Sequence, residues 1–189
     1  MKNIFLIAIL LLAIILTGCE KGDGEADYGY AYIYMPQANV SGGLDNNYAV
    51  PAGGDENTYN FIIDTENQEV DIMLGALRSG KLPDEGFAVD IQARTDTTNT
   101  LIANGTIENG LLLPASVYSL PSSIEVPAGK YTKTFYLSVD ASALMDEAYT
   151  DKKLVLTVGI TNPTQYPLLQ KYANTVVIID VNSMRTYLN

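Results

Sequence analysis

Leu154-Val-Leu-Thr-Val-Gly-Ile160 is the stretch on which the fold turns. Leu154, Leu156, Val158 and Ile160 share one side, and Val155, Thr157 and Gly159 share the other, the period-two signature of a strand. A second run, Val176 to Ile179, is apolar on both sides, which suits a strand with neighbours left and right. Working outward, the same alternation recurs in Phe135, Leu137 and Val139, and in Ile124 and Val126 ahead of the turn Pro127-Ala-Gly129. It recurs again in Phe87, Val89, Ile91 and Ala93, in Val70, Ile72, Leu74 and Ala76, and in Tyr59, Phe61 and Ile63. Asp71, Asp90, Gln92 and Arg94 interleave with the apolar sets, so each sheet has one wet face and one dry one. The expectation is an all-β chain, an antiparallel β-sandwich. Asp140 is placed to N-cap its one short helix, running through Met145.

Between the strands the chain is punctuated by turn chemistry. Residues 39–57 are glycine-rich and acidic, with Tyr48-Ala-Val50 as at most a short strand. Asp45, Asn47, Asp55 and Asn57 could offer oxygens to Ca²⁺, but the runs lack the spacing and distal glutamate of an EF-hand loop, and no metal is expected. Arg78 to Gly86 is a loop, residues 95–116 form an excursion with room for one helical turn, and Asn162-Pro-Thr-Gln-Tyr-Pro167 is irregular. Tyr28-Gly-Tyr-Ala-Tyr-Ile-Tyr-Met35 reads as the first strand. It puts Tyr28, Tyr30, Tyr32 and Tyr34 on one face, either as a platform for sugar or peptide or simply as rings packed across the sheet.

The N-terminus carries an address. Met1-Lys2-Asn3 leads into an apolar run from Ile4 to Leu16, too short for the roughly 20 residues that span a bilayer. It closes on Leu16-Thr17-Gly18-Cys19, the pattern of a lipoprotein export signal. Residues 1–18 are then a signal peptide, and Cys19, the sole cysteine, becomes the lipid-bearing N-terminus. Residues 19–27 are an acidic tether, and 28–189 a single β-sandwich domain stabilised by its core without disulfides. The acidic segment behind the cysteine resembles a surface-export signal of Bacteroidetes lipoproteins. Localisation is therefore expected at the outer membrane, lipid-anchored, on the cell surface.

Charge and composition remove whole classes of function. The net charge is −11, and −12 once Lys2 leaves with the signal peptide. Nucleic acid and anionic lipid surfaces would repel such a chain. Histidine is absent, which removes the commonest general base and every Ser-His or Cys-His pair. Adjacent carboxylates, Asp84-Glu85 and Asp146-Glu147, are the remaining candidates for acid-base work, and neighbours in sequence rarely face each other across a substrate. The chain is expected to be no enzyme and to need no cofactor. Asp96-Thr97-Thr98 resembles a short O-glycosylation pattern of exported Bacteroidetes proteins, with Thr97 as acceptor.

A wider resemblance rests on Ile33-Tyr-Met-Pro-Gln-Ala38, Leu74 to Lys81, Leu113-Pro through Tyr118-Ser-Leu-Pro to Ile124-Glu-Val-Pro-Ala-Gly129, and Tyr131 to Val139. Together with Leu144 and the final apolar strands, these residues resemble the immunoglobulin-like N-terminal domain of unknown function in Bacteroidetes surface lipoproteins. The resemblance implies a β-sandwich next to the anchor, often ahead of a glycoside hydrolase or carbohydrate-binding module in glycan-utilisation systems. Here the chain stops at Asn189, straight after its last strand, and is read as lacking that module. The function implied is a non-catalytic accessory in glycan capture or handling, with a glycan or neighbouring surface protein as partner besides the membrane. The alternative is a structural or adhesive subunit whose edge strands pair with another chain.

Overall fold

The computed structural model describes residues 30–40, 46–80 and 85–189. The signal peptide with Leu16, Thr17, Gly18 and Cys19, the tether, Tyr28, Asp45 and Asp84 lie outside the described residues. In chain order the described strands are β1 (Ile33–Tyr34), β2 (Asn47–Val50), β3 (Phe61–Asp64), β4 (Glu69–Arg78), β5 (Phe87–Ala93) and β6 (Gly110–Leu112). They continue as β7 (Tyr118–Ser119), β8 (Ser123–Val126), β9 (Thr132–Asp140), β10 (Lys153–Thr161) and β11 (Asn174–Asp180).

Two long strands, β4 and β10, each organise a sheet. The first sheet runs β1-β4-β9-β7, and β3 shares with β1 the edge of β4 that β9 leaves open. The second runs β2-β11-β10-β5-β8, with β6 sharing the β5 edge of β10. Pairings are antiparallel except β2 with β11 and β6 with β10, which are parallel. The dry faces predicted from periodicity meet between the sheets: Ile72, Leu74, Leu137, Leu154, Leu156 and Ile160 are all fully buried in one continuous cluster. Each such side chain contributes at most about 1.5–3 kcal/mol. The architecture is the expected β-sandwich, and β11 is indeed flanked on both sides, by β2 and β10.

The first strand is shorter than its sequence pattern. Among the described residues only Ile33 and Tyr34 pair with β4, opposite Arg78 and Leu77. Tyr32 continues the contact outside the strand, its carbonyl accepting from Ser79 N–H at 2.9 Å and its N–H donating to Ser79 Oγ at 3.0 Å, before Gly80 at φ +91° turns the chain. On its other side Ile33 is held by residues 167–169, its N–H donating to Pro167 O at 3.0 Å and its carbonyl accepting from Leu169 N–H at 2.8 Å.

Four helices, rather than one, are present among the described residues: α1 (Gln37–Val40), α2 (Thr95–Ala103), α3 (Ala141–Leu144) and α4 (Val181–Leu188). The predicted helix is α3, with Asp140 accepting from Ser142 N–H at 2.7 Å. The chain does not stop straight after β11: Asp180 accepts from Ser183 N–H and starts α4, which buries Val181 and Met184. Arg185 locks it down, donating from Nε to Leu144 O (2.8 Å), from Nη1 to Thr150 Oγ1 (3.0 Å) and from Nη2 to Asp146 O (2.6 Å). Tyr187 completes the closure edge-on against Tyr59 and Phe61, at 5.2 and 5.1 Å between ring centroids.

Helix α2 occupies the place where β5 has left β10 and β6 has not yet joined it. Thr98, fully buried, accepts from Thr157 N–H at 2.8 Å, doing for that backbone group what a neighbouring strand would do. Leu101 and Ile102 pack over Val155 and Val176 beside Ile107, a small second core on the outer face.

Candidate functional site

A cleft of about 330 Å³ opens where β4 begins and β9 ends, lined by Asn67, Gln68, Glu69, Tyr118, Ser138 and Asp140 with serines 116, 119 and 142 and Val117. Its walls come from rigid elements. The β3–β4 turn supplies Asn67 and Gln68, and Asp64 holds that turn by accepting from the N–H groups of Glu66 and Asn67, both at 2.9 Å, and from Asn67 Nδ2 at 2.8 Å. These bonds, the Asn67 backbone first, hold the Asp64 carboxyl below its usual range. Gln68 sits at φ +58°, and its carbonyl accepts from Ala141 N–H at 2.9 Å, tying the turn to the start of α3.

The polar groups converge from both strands. Glu69 stands opposite Asp140, and Asp71 opposite Ser138, whose hydroxyl donates to Asp71 Oδ1 at 2.5 Å. Bonds from Ser142, its side chain first and then its N–H, hold the Asp140 carboxyl below the ordinary value. Ser119 pairs with Ser138 across β7 and β9. Tyr118 packs against the core and also lines the cleft, and burial pushes its phenol up. Carboxylates, amides, hydroxyls and one ring around a small volume make a surface that can accept and donate many hydrogen bonds at once. That is the chemistry a polyhydroxylated ligand demands.

The tyrosines singled out by sequence are distributed differently. Tyr30 is 85% exposed, whereas Tyr32 and Tyr34 are half-buried and Tyr34 pairs with Leu77 on β4. Of the oxygen donors considered for Ca²⁺, Asp55 Oδ1 accepts from Asn57 N–H at 2.9 Å within one turn, and Asn47 lies in β2. Asp146 N-caps the turn Glu147–Tyr149 through Ala148 N–H at 2.9 Å, and Glu147 and Glu85 are exposed. Thr97 is exposed on α2 next to the buried Thr98. The cleft residues come from three separated segments, 67–69, 116–119 and 138–142, which no local sequence pattern links; Asp140 reads in sequence only as a helix cap.

A family model described as an N-terminal domain matches residues 28–167. The chain belongs to that family. That agrees with the sequence resemblance, which points to an N-terminal domain. No curated protein matches the sequence. Among solved structures, this family member is similar to a protein of unknown function from Bacteroides ovatus, at 18% identity and a TM-score of 0.52 over 80% of this chain and 46% of the other. It is also similar to Bacteroides thetaiotaomicron EndoBT-3987 with a Man5GlcNAc product, at 11% identity and a TM-score of 0.51 over 78% of this chain and 30% of that one. A second Bacteroides ovatus protein of unknown function is 12% identical at a TM-score of 0.50, with 80% and 52% covered. The N-terminal-domain chain thus spans about half the length of these structures or less, and at such identities the likeness is one of fold.

Proposed function

We propose that this chain is a non-catalytic lipoprotein, anchored through Cys19 to the outer membrane and facing the cell exterior, that assists glycan capture or handling by binding neutral saccharide in the Glu69–Tyr118–Asp140 cleft. The observation that carries the reading is the cleft itself: the hydrogen-bonding side chains of Asn67, Glu69, Ser138 and Asp140, carried on paired strands and a capped turn, with Tyr118 also in its lining. Tyrosine offers a sugar both an apolar face and a hydroxyl. The export signal read in the sequence supports the placement.

Titrating the protein with neutral oligosaccharides tests the cleft: Tyr118→Ala and Glu69→Gln should each abolish saturable binding while leaving the melting curve cooperative. Binding that survives both substitutions would sink the assignment. Palmitate labelling lost in Cys19→Ser, with release from the membrane fraction, tests the anchor.

One observation favours a second reading, a structural or adhesive subunit. The outer face of the first sheet shows Ile62 (47% exposed) and Tyr136 to solvent, with Met73 opposite Tyr136. Concentration-dependent polymers in size-exclusion runs would select that reading over the first.

A further inference from the structure

We propose that the free edge of β9 takes an acidic peptide of a partner protein as an added strand, paired along Thr132, Thr134 and Tyr136. None of these residues lines the cleft, so the peptide site does not depend on the saccharide site. Edge pairing belongs to the second reading above; here the added strand comes from another protein and not from a second copy.

β9 is paired with β4 along its whole length, from Thr132 opposite Leu77 to Asp140 opposite Glu69. Arg78 N–H donates to Tyr131 O at 2.8 Å, and the N–H groups of Met73 and Gly75 turn away from β9, to Asn60 O and Gln37 Oε1. Bonded and non-bonded pairs alternate in an antiparallel ladder, so Lys133, Phe135 and Leu137 turn their backbone groups to β4. Thr132, Thr134, Tyr136 and Ser138 turn theirs to the other side. There β7 covers only Ser138, with Ser119 opposite. Two steps on, the same register sets Pro121 against Tyr136, and proline has no N–H to give. Among the described residues no backbone bond reaches Thr132, Thr134 or Tyr136 on this side. All three are exposed, and so are Pro121 to Ser123 and Pro127 to Tyr131 around them, so a strand can approach. A row of unpaired N–H and C=O groups is a template for another chain.

Charge selects the occupant. Lys130 and Lys133, both exposed, stand on this stretch, and from Pro127 to Val139 there is no acid, in a chain whose net charge is −11. The acids that bound the stretch point elsewhere: Glu125 alternates with the buried Ile124 and Val126 and so faces outward from the second sheet, and Asp140 caps α3. Lysines on an edge discourage pairing with a second copy, which would bring the same lysines to the ladder, and they favour an acidic strand. Thr134 and Tyr136 put a β-branched and an aromatic side chain on the outer face, where β-branched residues of an added strand pair well. The peptide is therefore an extended segment in which acids alternate with β-branched residues.

The test follows amide hydrogen exchange in ¹⁵N-labelled protein, titrated at matched ionic strength with the acetylated peptide amide Asp-Val-Glu-Val-Asp-Val-Glu. Without peptide, Thr132, Thr134 and Tyr136 should exchange at least about ten-fold faster than Phe135 and Leu137; with it they should slow saturably. Lysine in place of the acids should weaken binding at least about ten-fold, and the double variant Lys130→Glu, Lys133→Glu should reverse the preference. N-methylating the valine amides or the acid amides should abolish protection for one set, the one bonded to β9, and spare it for the other. No protection by the acidic peptide overturns the site, and equal protection by the lysine peptide overturns the acidic partner. Loss with both N-methylated sets, or with neither, overturns strand addition. Amides already protected in the free chain overturn the open edge, and protection that grows with protein concentration gives it to a second copy instead. Saccharide binding that persists in the cleft while the peptide fails overturns this proposal and leaves the cleft untouched.

Discussion

Replacing Thr98 with valine would expose how much of the second sheet depends on one side chain. The substitution keeps the branched Cβ and nearly the same volume but turns Oγ1 into a methyl. Thr98 and Thr157 are both fully buried, so no water replaces what is lost. Thr157 N–H then loses its acceptor at 2.8 Å, and Thr157 Oγ1 loses a neighbour at 3.0 Å. Thr98 N–H still reaches Arg94 O, so the helix backbone is intact. An orphaned buried donor costs about 1–3 kcal/mol and a lost buried hydroxyl contact about 0.5–1.5 kcal/mol. The added methyl returns less than about 0.8 kcal/mol. The expected net loss is roughly 2–3 kcal/mol, which for a chain of this size lowers Tm by about 4–12 °C. Thr98→Ser, which keeps the oxygen, should cost about 1 kcal/mol or less. Urea unfolding followed by circular dichroism, with calorimetry for Tm, compares the two. Should valine and serine cost the same, packing rather than the hydrogen bond holds α2, and the reasoning fails.

Arg185→Met removes the three bonds that fasten α4 to Leu144, Asp146 and Thr150 and should cost about 1–3 kcal/mol in urea titration, with Arg185→Lys recovering little, because one ammonium cannot reach all three. Gly159→Ala places a Cβ 2.4 Å from both Arg94 Nε and Asn174 Oδ1 and should destabilise by about 1–3 kcal/mol. Adding Arg94→Ala should relieve part of that cost, and an unchanged penalty in the double variant would show that the clash lies elsewhere. The carboxyls of Asp64 and Asp140 titrate lower in the folded chain than in the unfolded one, Asp64 chiefly through the Asn67 backbone bond and Asp140 through Ser142. Their contribution is therefore present above the unfolded value near 3.9 and lost as pH falls through the folded values. Asp64→Asn and Asp140→Asn should flatten the fall of the urea midpoint below about pH 4, and a fall as steep as that of the parent protein would count against these bonds.

The strands of this protein were legible because burial on one face imposes period two, and Leu154 to Ile160, Val70 to Ala76 and Phe135 to Val139 carry it cleanly. What hid α2 is its composition. Thr95 to Thr100 holds threonine, aspartate and asparagine, poor helix formers, and its inward position is filled by Thr98, whose role depends on a backbone group 59 residues away. Helix α4 shows apolar residues at Val181, Met184 and Leu188, yet eight residues is too short a window for periodicity to speak strongly. The cleft was hidden for another reason. Glu69 and Asp140 become neighbours only through the β4–β9 register, and no local pattern announces which two strands will pair. Arg78 resembled a loop residue because Ser79-Gly80 follows it; its place on the inner row was implicit in the parity of Val70, Ile72, Leu74 and Ala76.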